Sequence, residues 1–91
     1  AQNDETAIKS YQRAISLYAD KTNKKIIESV FWARYQIGAI YTRQDKDQEA
    51  LIIFKQLMDV KVGEGQLWKK LATENHRAIS RKLAYDEYLK E

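Results

Sequence analysis

Apolar residues recur along this chain at helical spacing in four stretches. In the first, Ala7, Ile8, Tyr11, Ala14, Ile15 and Tyr18 fall at i, i+3/i+4 and i+7, one face of an α-helix. Asn3 and Asp4 precede it as competent N-caps, and Glu5 suits the positive end of the helix dipole. The pattern predicts a helix over residues 5–20, ending where Lys21-Thr22-Asn23-Lys24-Lys25 turns polar and loses its period. The second predicted helix, 24–43, carries Ile26/Ile27, Val30/Phe31, Arg34, Ile37/Gly38 and Tyr41 on one side. Gln44-Asp45-Lys46-Asp47 reads as a short polar turn, with Asp45 or Asp47 capping the next helix. That third helix, 47–60, has Ala50, Ile53/Phe54 and Leu57/Met58 as its stripe. Gly63-Glu64-Gly65 is the clearest breaker. The fourth, 66–90, carries Leu67/Trp68, Leu71/Ala72, Ala78/Ile79, Leu83 and Tyr88; nothing interrupts it, although a break near His76–Ser80 is the alternative.

Composition narrows the class. The 91 residues make one predicted domain over 1–91, with a single modest core. The chain has no proline and three glycines, so the turns that an all-β domain needs every 8–12 residues are missing. An all-α architecture of four helices follows. Connections of two to six residues imply antiparallel neighbours. No run of about 18 apolar residues is present, so no membrane span is expected. The net charge of +3 is a mild basic excess, and nucleic acid is disfavoured as a partner.

Candidate chemistry is sparse. One histidine, His76, and no cysteine leave no metal-ligand set, and Asp45, Asp47 and Glu49 lack the glycine and distal glutamate of a calcium loop. Ser10, Ser16, Ser29 and Ser80 lie within predicted helices, outside any Gly-x-Ser-x-Gly turn. His76 and Ser80 are four residues apart, but no orienting carboxylate or oxyanion hole accompanies them. Gly63-Glu64-Gly65 has no phosphate-loop spacing. The expectation is no catalytic residue, no metal and no cofactor.

The segment Arg34-Tyr35-Gln36-Ile37-Gly38-Ala39-Ile40-Tyr41, with Ala50-Leu51-Ile52-Ile53-Phe54, resembles a tetratricopeptide (TPR) unit, W-x2-L-G-x2-Y followed by A-x3-F. Ile37, Gly38, Tyr41, Ala50 and Phe54 stand at the motif positions. Trp68-Lys69-Lys70-Leu71-Ala72 is similar again, with Leu71 and Ala72 34 residues after Ile37 and Gly38, the family's period. Ala84 and Tyr88 follow Ala50 and Phe54 by the same interval, and Ala7 and Tyr11 resemble the second helix of a unit. Arg34 departs from the motif's Trp, Asn75 from its Tyr and Val62 from its Pro. The resemblance implies a right-handed antiparallel helical stack closed by a long C-terminal capping helix. It also implies a non-enzymatic scaffold or adaptor that binds a partner polypeptide in a groove. The closing helix is similar to those of bacterial envelope-associated TPR proteins, which implies a periplasmic or envelope setting, with cytoplasm as the alternative.

Carried over residue by residue, the resemblance places the groove at Trp32, Tyr35, Ala39, Thr42 and Arg43, and at Gln66, Lys69, Thr73, His76 and Arg77. An aromatic pair beside basic residues suits an extended peptide with an apolar anchor and an acidic group. The family's carboxylate clamp needs Asn where this chain has Ala39 and Thr73, so that activity is not expected. The plain alternative is that Trp32 packs against the first or the fourth helix. Lys69, Lys70, Arg77, Arg81 and Lys82 oppose Glu74 alone, which reads as a solvated face, then as a surface for an acidic protein partner, and last as one for nucleic acid or anionic lipid. The first helix has no preceding helix to cover its stripe, which points to a longer array or to homo-oligomeric self-association or capping of a larger assembly.

Overall fold

The computed structural model describes residues 2–18, 24–60 and 65–90. These form four helices: α1 (Gln2–Tyr18), α2 (Lys24–Arg43), α3 (Asp47–Met58) and α4 (Gln66–Lys90). Among the described residues there is no strand. The bounds of α2 and α4 coincide with the sequence reading, and α4 runs through His76–Ser80 without a break. α3 stops at Met58, and the Asp59 amide bonds the Lys55 carbonyl at 3.1 Å. α1 starts earlier than expected, so Asn3 and Asp4 lie inside its first turn rather than capping it. The expected end at residues 19 and 20, the stretch 21–23 and the breaker residues 63 and 64 lie outside the described residues.

The α2–α3 turn differs from expectation in its chemistry. Lys46 stands at the N-cap position of α3 and makes no side-chain cap bond. Asp45 caps the helix before it instead. It sits at φ 59°, the left-handed region, with its amide on the Thr42 carbonyl at 3.1 Å and the next amide, Lys46, on Tyr41 at 2.9 Å. This is the Schellman arrangement that satisfies the last carbonyls of a helix. Asp47 is the first residue of α3. Its Oδ2 meets Lys82 at 3.1 Å, while its Oδ1 is buried without a partner among the described residues.

The helices pack in chain order: α1 on α2, α2 on α3, α3 on α4, with a smaller contact between α2 and α4. The backbone of α1 approaches neither α3 nor α4, so the molecule is an open slab of 49 × 34 × 15 Å. Its main core joins Phe31, Ala50, Phe54, Leu57, Ala72 and Ile79. Gly38 makes the α2–α3 approach possible, since a Cβ there would lie 2.7 Å from Phe54 Cε1. A smaller cluster joins Ile8, Ile37 and Ile40, with Ala7, Tyr11, Ile15 and Ile53 against it. Ala7, Ile8, Tyr11 and Ile15 of the α1 stripe thus pack against α2, while Tyr18 at its end stays exposed. The opposite face of α1 carries exposed Glu5, Lys9, Gln12, Arg13 and Ser16.

Candidate protein-interaction surface

At 100° per residue, α2 presents three faces. Val30, Ala33, Ile37 and Ile40 turn to α1; Ile27, Phe31 and Gly38 turn to α3. The third face holds Trp32, Gln36, Ala39 and Arg43. Trp32 is 43% exposed, and its ring meets Tyr11 of α1 edge-on at 5.5 Å and 82°. With Ala14, Tyr18, Ser29, Val30 and Ala33 it lines an almost wholly apolar recess of about 240 Å³ between α1 and α2. Arg43 at the far end donates from Nη2 to Asp4 Oδ1 at 2.6 Å, and Gln44 Nε2 reaches Asp4 Oδ2 at 3.3 Å. The Arg43 guanidinium, supported by Gln44, holds the Asp4 carboxyl below the usual carboxylate range. Thr42 bonds back to the Gly38 carbonyl at 2.9 Å.

Tyr35 does something else. Its ring sits 5.7 Å from Phe54 and 5.5 Å from Trp68, and its hydroxyl accepts from Asn75 Nδ2 at 3.0 Å. It seals the junction of α2, α3 and α4, so Trp32 and Tyr35 are not a pair on one open surface. Trp68 Nε1 donates to Glu28 Oε2 at 3.1 Å, a second link between α2 and α4.

The predicted groove residues of α2 and α4 do not converge. Trp68 and Asn75 face α2, whereas Ala72, Ile79 and Leu83 face the α3 core. Thr73 and Arg77 lie about 160° around α4 from those two, on its far side. Lys69, Thr73 and Arg77 line a different recess, of about 370 Å³, together with Gln66, Lys70 and Glu74. The reason is the turn of α4 about its own axis. Ala72 drops into the same cluster as Ala50 and Phe54, and α4 continues to Lys90 without folding back. Ala84 and Tyr88 thus share one helix with Ala72, and both are exposed. The side of α4 that adjoins the open face of α2 carries Leu67, Leu71 and Ala78, of which Leu67 is 60% exposed. The sequence reading missed these three and the recess residues Ala14 and Tyr18.

His76 Nδ1 and Ser80 Oγ are 3.5 Å apart on an exposed surface. Arg34 on α2 is half-buried, and desolvation lowers its pKa. Among the described residues no three His, Cys, Asp or Glu side chains group closely enough to hold a metal ion. Likewise, none of the described helices is long and apolar enough to cross a membrane.

Among the described residues these observations define an all-helical arrangement of four helices with an open apolar recess. No protein-family model, curated protein or solved structure matches it.

Proposed function

We propose that this chain is a non-enzymatic protein-interaction module of TPR-like, right-handed antiparallel build, which holds a partner polypeptide along the open face of α2. The observation that carries the reading is Trp32. A half-exposed indole, braced by Tyr11 over an apolar recess, is the kind of anchor site that dominates interface energetics. Trp32 and Ala39 form the floor, with Tyr18 of α1 on one side and Leu67 and Leu71 of α4 on the other. The partner supplies a large apolar side chain for the recess. Support for the TPR-like build comes from the close approach of Gly38 to Phe54, from packing in chain order, and from contacts such as Asp4–Arg43, which join the start of one helix to the end of the next. On this reading Lys69, Thr73 and Arg77 are not groove residues.

A second reading is self-association or capping of a larger assembly. Its motive is the end of α4, where Tyr85 and Tyr88 stack at 6.5 Å beside exposed Leu89. Trp32→Ala separates the two. Loss of a captured partner with unchanged sedimentation supports the anchor site. Loss of an oligomer supports assembly. Unchanged capture and unchanged sedimentation would sink the anchor reading.

A further inference from the structure

α4 carries two kinds of cation. Lys82 is tied down: its Nζ lies 3.1 Å from Asp47 Oδ2 and 3.4 Å from Asp45 Oδ1. Lys70, Arg77 and Arg81 make no ion pair among the described residues, although Asp4, Asp45, Asp47, Asp59 and Glu87 are all used in pairs elsewhere. At 100° per residue these three cations fall within a stripe about 40° wide on the far side of α4 from Trp68 and Asn75. The stripe is therefore separate from the open face of α2. It borders the shallow recess of about 370 Å³, whose one acidic residue is Glu74. Further along, the same stripe ends in Ala84 and in Tyr88, a residue 70% exposed.

We propose that this outer stripe of α4 docks an acidic amphipathic helix of a partner protein. The partner's carboxylates lie opposite Lys70, Arg77 and Arg81, and one apolar residue covers Tyr88. Charge complementarity argues for an acidic occupant, because three cations share the stripe with one carboxylate, Glu74, which forms no ion pair with them. Spacing argues for a helix. The cations are separated by seven and then four residues, both near whole numbers of helical turns, so a second helix alongside keeps in step with them. Opposed dipoles favour an antiparallel partner. Single-stranded nucleic acid is the poorer fit, since stacking platforms alternate with cations along a strand and here both rings lie beyond the last cation.

The test uses the full chain and a labelled, alanine-rich synthetic helix with a leucine followed by glutamates seven, eleven and eighteen residues on. Anisotropy at low salt should report binding. Replacing Lys70, Arg77 and Arg81 together by Gln should weaken it about tenfold or more, by the loss of three exposed charge pairs. Reversing the three to Glu should transfer preference to a lysine version of the probe. Tyr88→Ala should weaken binding several-fold, and Trp32→Ala should leave it unchanged, which keeps this site distinct from the anchor recess. All four positions are exposed, and far-UV circular dichroism checks that each variant keeps its helices. The proposal is overturned if the triple Gln variant binds the probe as well as the parent chain. It also fails if the lysine probe binds the parent equally well, or if oligouridylate binds more tightly than the acidic helix.

Discussion

Where α2 meets α3, Phe54 and Leu57 are fully buried, Gly38 lets the backbone come close, and Tyr35 and Trp68 close the rim. Where α2 meets α1, the cluster is three isoleucines with partly open tyrosines, and the outer clasp is one surface ion pair, Asp4 with Arg43. The first junction is secured on three helices at once. The second rests mainly on two: the α1 backbone meets only α2, and α3 adds the single partly buried Ile53 to the cluster. In a stack where each layer meets mainly its neighbours, stability is local, and the layer with fewer buried contacts opens first. The recess at Trp32 is built on that weaker junction, so under the proposed function a partner held there would share an energy with α1 opening.

Each side of this contrast can be tested by substitution. Phe54→Ala should have the largest effect, about 3–5 kcal/mol, because a whole ring leaves a site with no room to collapse. Denaturant unfolding should show the loss in one transition. Ile8→Ala should cost less, about 2–3 kcal/mol, and differ in kind. Amide exchange should accelerate in α1 while α3 and α4 stay protected; equal acceleration throughout would erase the distinction between the two junctions. Gly38→Ala should cost roughly 1–3 kcal/mol, because the new methyl group must displace the buried Phe54 ring. If it proves neutral, the close approach is not what sets the α2–α3 spacing.

The smallest effect is the Asp4 clasp. The Asp4 carboxyl is held below its ordinary pKa, so the link contributes above the usual carboxylate range. That contribution fades as pH falls through the lowered value. An NMR titration should find Asp4 titrating higher in Arg43→Gln than in the parent. An unshifted titration would remove the clasp from the α1–α2 junction.

The four helices were legible because the chain holds no proline and places its few glycines at or near turns, apart from Gly38. The fully buried Ala50, Phe54 and Leu57 were readable from period alone, as was Ala72, since burial on one face is what the period encodes. The rotation of α4 was not. A repeat tells which residues share a face and leaves open which neighbour that face meets. Ala72 occupies the position of Gly38 in the repeat, but with α4 continuing straight, its small side turned into the existing core. Lys69, Thr73 and Arg77 went outward as a consequence, and Leu67 and Leu71 took the inner side. Asp45 at a helix end was hidden for another reason. Aspartate serves at both helix starts and left-handed stops, and only the amide partners separate the two.

Gly65, at φ 58° just before α4, has its missing side-chain space filled by the Phe31 ring, which an added Cβ would meet at 2.6 Å from Cε2. A ring from one rod thus works as a dowel in the elbow that launches another. Trimming that dowel to leucine would slacken the elbow and let the long rod swivel, loosening the Trp68–Glu28 and Asn75–Tyr35 links before the stack came apart.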